Sequence, residues 1–301
     1  MTTFVQLLVA GLAVGLLYAL VALGFVVIYK STGVVNFAQG SLVLLGAYLT
    51  YGFHQGAGLP FAVSVLLAVM ASVAIALGIG HVVLRPMVGR PVVAVIMITI
   101  GLAIVIDEAV IWAWGPDRLS LGDPWGLDTV PLGIADARVG TTDIARVVAA
   151  TLLLALLVIL YRHTRMGLAM RATASDPEAA QAQGVSTARV IGVAWAGAAG
   201  IATFAGVFLA AGARGIDPTL SQVGLLAFPA AVLGGMRSTA GAVAGGVVIG
   251  VVEVMTAGYG PRHLPDWMGD NLHSVVPYLV LVAVLLIRPS GLFGTAEVRR
   301  L

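Results

Sequence analysis

The chain has 301 residues, of which 59% are hydrophobic and 10% charged, where an ordinary soluble domain carries roughly 25% charged residues. Its mean hydropathy is +1.03, and 16 basic with 14 acidic side chains cannot coat a water-soluble body of this length, which excludes a cytosolic enzyme. Cysteine is absent, excluding disulfides, thiolate catalysis and cysteine-based metal sites. The fold class that remains is an all-α, polytopic helical membrane protein.

At about 20 residues per crossing, nine crossings use roughly 180 residues. They leave short connections and no segment long enough for a soluble domain of the usual ~50 residues or more. Residues 1–301 are thus expected to form a single transmembrane domain. The net charge of +2 comes from arginine, since Lys30 is the only lysine. Charged loops on the cytoplasmic side explain that excess, and no nucleic-acid partner is expected. Lys30 is also the first charged residue and follows the first apolar run. A secretory signal places positive charge before its apolar region, so the first segment is expected to be retained as a helix with its amino end outside.

Apolar spans are expected at 4–29, 40–53, 60–84, 91–114, 143–161, 190–212, 222–236, 240–258 and 273–287. Nine is the expected number, with eight to ten as the range. Helices are the open choice for runs this long, because each crossing must satisfy its own backbone; strand alternation, the mark of an outer-membrane barrel, is missing. Arg85, Arg90, Arg162, Arg165, Arg171, Arg189, Arg237, Arg288, Arg299 and Arg300 then fall on one face, which the positive-inside rule makes cytoplasmic. The 115–142 loop lands outside, with Asp117, Asp123, Asp128 and Asp136 against Arg118 and Arg138. A long span, a polar break, a short span and a long span follow in that order from residue 4 and again from residue 190. The breaks are 30–39, with Asn36, and 213–221, with Asp217-Pro218. The two sets have opposite orientation and form a candidate inverted repeat of the kind found in transporters; chance similarity among apolar segments is the competing account.

The cytoplasmic segment 162–189 contains Ser175-Asp176-Pro177-Glu178-Ala179-Ala180-Gln181-Ala182-Gln183-Gly184, which reads as a short bounded helix. Either Ser175 caps it with Glu178 three residues on, or Asp176 caps it with Pro177 as the first helical residue. Gly184 supplies the stop. Two turns are marginal alone in water, so the helix makes sense docked in a partner's cleft; the plainer account is a capped connector.

Glu178-Ala179-Ala180 followed by Gly184 resembles the E-A-A-x-x-x-G loop of ABC importer permeases. Three further stretches resemble the branched-chain amino acid (Liv-type) permeases of that group. They are Thr32-Gly33-Val34-Val35-Asn36-Phe37-Ala38-Gln39-Gly40 with Leu45-Gly46-Ala47-Tyr48, then Val232-Leu233-Gly234-Gly235-Met236-Arg237-Ser238 with Gly241 and Gly245, and Arg288-Pro289-Ser290-Gly291-Leu292-Phe293-Gly294. The resemblance spans essentially the whole chain and implies a type II-like ABC importer permease. It further implies coupling through Glu178, Ala179, Ala180 and Gly184 to cytosolic ATPase subunits, a second permease subunit (related or identical), and an extracytoplasmic solute-binding protein. The expected place is the inner membrane of a bacterium, in contact with lipid. No cofactor of its own is expected, ATP being bound by the partner subunits. The family pattern carries an acidic residue where this chain has Ser41, and the family includes permeases for urea and short amides, so the ligand stays open among these and leucine-like amino acids.

Gly33, Asn36, Gln39 and Gly40 break the helix and leave backbone groups that must face protein or a water-filled path. Asn36, Phe37, Gln39, Gly40 and Ser41 are therefore candidates for the translocation path, the amides offering donors and acceptors without charge; the bland alternative is a cytoplasmic turn. Gly11/Gly15, Gly241/Gly245 and Gly246/Gly250 are small-residue pairs that permit close helix approach, with Gly234 and Gly235 in the same packing role. They serve either contacts within the chain or a seam with a second permease. Ionisable groups within spans are candidates for function by default: here Asp107, Glu108 and Glu253, each near an interface. Arg214 and Asp217 are candidates to meet a solute-delivering protein. His81 reads as an interfacial helix residue rather than a ligand, and His54, His163, His263 and His273 show no metal spacing.

A nucleotide loop of the Gly-Lys-[Ser/Thr] kind is excluded, because the only lysine follows Tyr29. The chain is thus expected to be a transport subunit and not an enzyme. A secondary transporter or channel acting alone would want paired carboxylates near the midplane, which the sequence does not offer. Gly122-Asp123 and Gly269-Asp270 superficially resemble aspartyl intramembrane proteases, but both fall in external loops.

Overall fold

A computed structural model describes residues 2–84, 86, 90–126, 128–131, 133, 137–212, 215–263 and 271–294. In chain order the elements are α1 (Thr2–Thr32), α2 (Gln39–Tyr51) running on into a π turn at Gly52–Gly56, and α3 (Phe61–Ile79) with a second π turn at Gly80–Leu84. Next come α4 (Val92–Trp114), an antiparallel pair of strands, β1 (Thr129–Pro131) and β2 (Arg138–Gly140), α5 (Thr141–His163), α6 (Arg165–Ser175) and α7 (Pro177–Ala182). The chain continues with α8 (Thr187–Ala210), a 3-10 turn at Pro218–Gln222 that leads into α9 (Val223–Gly234), α10 (Thr239–His263) and α11 (Leu272–Ile287). Among the described residues, six helices are long and apolar enough to cross a membrane: Thr2–Thr32, Phe61–Val83, Val92–Trp114, Thr141–His163, Thr187–Ala210 and Thr239–Gly260. Pro218–Gly234 and Leu272–Ile287 are shorter and apolar. The chain is a multi-pass helical membrane protein.

α1 forms the axis of the bundle. In its most apolar stretch 78% of residues are buried, against 11% for α5 at the periphery, and it packs on α5, α8, α9 and α10. Lipid tails are as apolar as leucine, so helices associate in a bilayer through close van der Waals packing, which small residues allow. α1 and α10 use this fully: a Cβ on Gly11 or Gly15 would stand 2.9 Å from the Cα of Val251 or Val247, and Gly246 and Gly250 face Ala19 and Gly15 in return. Gly241 and Gly245 meet Gly234 and Ala230 of α9, and Gly235, with φ of 95°, turns the chain against Gly294. α2 lies on α8 through Gly46 against Thr203 and Gly206 against Val43.

The helix ends gather in two groups. At one, Gln6 donates to the Arg138 carbonyl at 3.1 Å, Leu119 bridges Ile216, and the Gly212 N–H reaches the Gly122 carbonyl at 3.3 Å. There Arg146 pairs with Asp143 at 2.9 Å and donates to the Phe208 and Ala211 carbonyls at 2.9 and 3.0 Å, holding the last turn of α8. At the other end Lys30, Arg90, Arg171 and Arg237 surround one cavity.

The segment 162–189 differs from the expectation of a loop with one short helix. α5 runs to His163, α8 starts at Thr187, and α6 and α7 together fill most of the interval. Thr164 starts α6 by accepting from the Gly167 N–H at 3.0 Å. Gly167 lacks the Cβ that would collide with the Tyr161 carbonyl, so a residue that reads as a helix breaker is the one that lets the turn close.

Candidate functional site

The break after α1 is buried at Val34, Asn36, Ala38 and Gln39 and exposed at Gly33 and Phe37. Gly33 carries φ of 71° and ends α1, donating to the Tyr29 carbonyl at 2.7 Å. Asn36 and Gln39 are both 0% exposed and satisfy one another and the turn. The Asn36 Oδ1 accepts from the Ala38 N–H at 3.0 Å, its Nδ2 donates to the Gln39 Oε1 at 3.5 Å, and the Gln39 Nε2 donates to the Ala198 carbonyl at 3.3 Å. The Phe37 N–H donates to the Thr99 hydroxyl of α4 at 3.2 Å. Gln39 fits because Gly24 of α1 has no Cβ, which would strike its amide. Gly24 precedes the end of α1 by eight residues, about 12 Å at a rise of about 1.5 Å per residue; α2 therefore starts part-way along the bundle.

α9 starts at the same level. Gly40 and Gly224, each the second residue of its helix, meet backbone to backbone. Beside this crossing a cavity of about 190 Å³ is lined by residues of α1, the break after it, α2, α4, the 3-10 turn and α9. Phe25, Phe37 and Phe228 form its aromatic wall, with ring centroids 5.7 Å apart for Phe25–Phe228 and 6.2 Å for Phe37–Phe228. Ser41 is 3% exposed and borders this cavity with Asp107.

A larger cavity of about 760 Å³ opens at the arginine-rich end and includes Asn36 in its lining. Two cations clasp one ring there: the Lys30 Nζ is 5.2 Å from the Tyr161 centroid and the Arg171 guanidinium 5.4 Å. Cation–π contact and the Arg171 bond to the Tyr161 carbonyl tie α1, α5 and α6 together. α7 follows directly. Asp176 is its cap, accepting from the N–H groups of Glu178 and Ala179 at 3.0 and 2.9 Å. Ser175 instead ends α6, its hydroxyl on the Arg171 carbonyl at 3.0 Å. Gly184, with φ of 83°, follows α7, and the Val185 N–H returns to the Ala180 carbonyl at 3.0 Å. Glu178, Ala179 and Gly184 are exposed, whereas Ala180 is buried.

The remaining ionisable candidates are separate from the crossing. Tyr18 donates to Glu253 at 3.2 Å between α1 and α10. Asp217 caps the 3-10 turn, accepting from the Thr219 N–H at 2.9 Å, and Glu108 is exposed. Arg85, Asp136, Arg214, Gly269, Asp270, Arg299 and Arg300 lie outside the described residues. Among the described residues no group of three or more metal-ligating side chains is found. Sequence reasoning missed Thr99, Ser221 and Arg146. Thr99 is a lone hydroxyl in the apolar run of α4 and Ser221 one of several polar residues in the 3-10 turn, so nothing local distinguishes them; Arg146 pairs with Asp143 three residues earlier, and its carbonyl partners come from the end of α8.

A multi-pass bundle of apolar helices, with the shorter α2 and α9 meeting at Gly40 and Gly224, is consistent with a helical permease. The chain belongs to the family described as branched-chain amino acid transport system / permease component, which matches residues 7–285. It is 29% identical over 309 residues to the high-affinity branched-chain amino acid transport system permease protein LivH of Escherichia coli K12, covering 99% of this chain and 97% of that one. BraD of Pseudomonas aeruginosa, of the same description, is 29% identical over 308 residues, covering 99% and 98%. A probable branched-chain amino acid transport permease protein LivH of Methanocaldococcus jannaschii is 28% identical over 289 residues, covering 92% and 89%.

Proposed function

We propose that the chain is the permease subunit of a bacterial inner-membrane ABC importer for branched-chain amino acids. It works with a second permease subunit, two cytosolic ATPases and an external solute-binding protein. The observation that carries this reading is the meeting of α2 and α9 at Gly40 and Gly224, in a chain whose family is described by branched-chain amino acid transport. Broken helices that start within the bilayer are where transporters place solutes, because irregular backbone is tolerated only beside protein or a water-filled path.

The same geometry supports nine crossings with the amino end outside. The arginine-rich end then faces the cytoplasm, and the strand pair with its 115–142 surroundings faces outward. α1–α2–α3 and α8–α9–α10 read as the two halves of an inverted repeat, each with its short helix in second place. α7 is the coupling element: Asp176 and Gly184 fix its two ends, and Glu178 and Ala179 are presented to the ATPase. Asn36, Phe37, Gln39, Gly40 and Ser41 border the path that nucleotide-driven motion opens to one side and then the other.

The test is reconstitution in proteoliposomes with the ATPases and the binding protein. ATP-dependent leucine uptake that ceases without ATPases is expected. Uptake of urea or acetamide in place of leucine overturns the substrate, and uptake sustained by an ion gradient in ATP-depleted vesicles overturns the mechanism.

A further inference from the structure

The cavity beside the Gly40–Gly224 crossing has two unlike walls. One is made of the rings of Phe25, Phe37 and Phe228. The other holds the Asp107 carboxyl of α4 with the hydroxyls of Ser41 and Ser221 beside it. The Asp107 Oδ1 is buried and makes no hydrogen bond.

The two hydroxyls hydrogen-bond the carboxyl but leave its Oδ1 buried without a donor, which is costly, and a carboxylate inside a bilayer without a counter-charge is more so. The missing piece is a compact cation with several N–H donors, which a primary ammonium supplies. The aromatic wall asks for a short apolar body on the same molecule. At about 190 Å³ the space is below the roughly 300–1,000 Å³ of sites for drug-sized ligands, which limits the occupant to a small solute.

We propose that this cavity is a solute site in the membrane interior, with Asp107 holding the α-ammonium group of an aliphatic amino acid and the three phenylalanines its side chain. This rests on the importer reading and sharpens it. A neutral amide or urea leaves the Asp107 charge uncompensated, so the site selects amino acids over the other solutes of the family.

The experiment uses the whole complex in proteoliposomes with its binding protein. Asp107→Asn is expected to lower maximal leucine uptake by about tenfold or more, as loss of a buried ionic partner does, while ATP hydrolysis stimulated by the binding protein stays within about twofold. Asp107→Glu restores most of the uptake. Wild-type leucine uptake with an unimpaired Asp107→Asn overturns this site and leaves the importer reading standing. A wild-type complex that moves no branched-chain amino acid overturns the reading itself. The natural chain has no cysteine, so Ser221→Cys gives a second readout that leaves Asp107 in place. A methanethiosulfonate bearing ethylammonium is expected to react about tenfold faster than the ethylsulfonate form, because the nearby carboxylate attracts one and repels the other. Equal rates, or no reaction with either, overturn the site.

Discussion

Gly40 and Gly224 touch where the first turns of α2 and α9 cross: a Cβ on Gly224 would stand 2.7 Å from the Gly40 Cα and 2.8 Å from its nitrogen. Both partners are backbone, so neither can swing away. Gly224→Ala is expected to destabilise the protein by about 1–3 kcal/mol, the usual range for overpacking, and to lower the thermal unfolding midpoint in detergent. Gly101→Ala on α4, where a Cβ meets nothing within 4 Å, is the control and leaves the midpoint in place.

Gln39 links the broken segment to α8 through the Ala198 carbonyl and to Asn36 through its own Oε1. Gln39→Ala strands a buried amide, at about 1–3 kcal/mol for the unsatisfied group, and uptake falls with it. Asn36→Ala acts in the same direction by freeing the Ala38 N–H. Full expression together with wild-type import in both variants would remove these residues from the machinery.

Asp176 accepts the first two free N–H groups of α7. Loss of an N-cap costs about 0.5–2 kcal/mol, a large share of what holds six residues in a helix. Asp176→Ala is therefore expected to raise the ATP hydrolysed per leucine imported, with the ATPases still active, and Asp176→Asn, which keeps the accepting oxygen, to restore the ratio. An unchanged ratio in Asp176→Ala means that α7 carries no load.

Arg146 caps the far end of α8 with two bonds to carbonyls and an ion pair to Asp143. Hydrogen bonds from a charged group are worth about 1.5–3 kcal/mol each, so Arg146→Ala is expected to lower the unfolding midpoint by several degrees. Arg146→Lys recovers only part of this, because a point-like ammonium cannot reproduce the spread donors of a guanidinium. Thermal scans of the three proteins settle the order.

The helices were legible because runs of apolar residues leave a bilayer chain little other choice: α4 at Val92–Trp114 and α11 at Leu272–Ile287 fall within one residue of the expected spans. The cap of α7 was legible as one of two alternatives, and Asp176 takes it while Ser175 bonds backward. α6 stayed hidden because it has a glycine, Gly167, in its first turn, which only the closeness of the Tyr161 carbonyl explains. The glycine pairs announced close packing but not their partners; Gly15 meets Val247 and Gly241 meets Gly234 within the chain. At the candidate site, Asn36 and Gln39 stood out as amides in an apolar context. The nearness of Asp107 to Ser41 and Ser221 did not, since it joins three separate elements and leaves no mark of spacing on any of them.

The axial position of α1 sets a problem of timing. This helix leaves the ribosome well before α10, yet the surface at Gly11 and Gly15 is filled by Val251 and Val247 of that later helix. At about 5–20 residues per second, the wait between the two is on the order of ten to fifty seconds. Throughout that interval the future centre of the protein sits in lipid with its small-residue stripe open, and nascent chains halted before α10 keep it so.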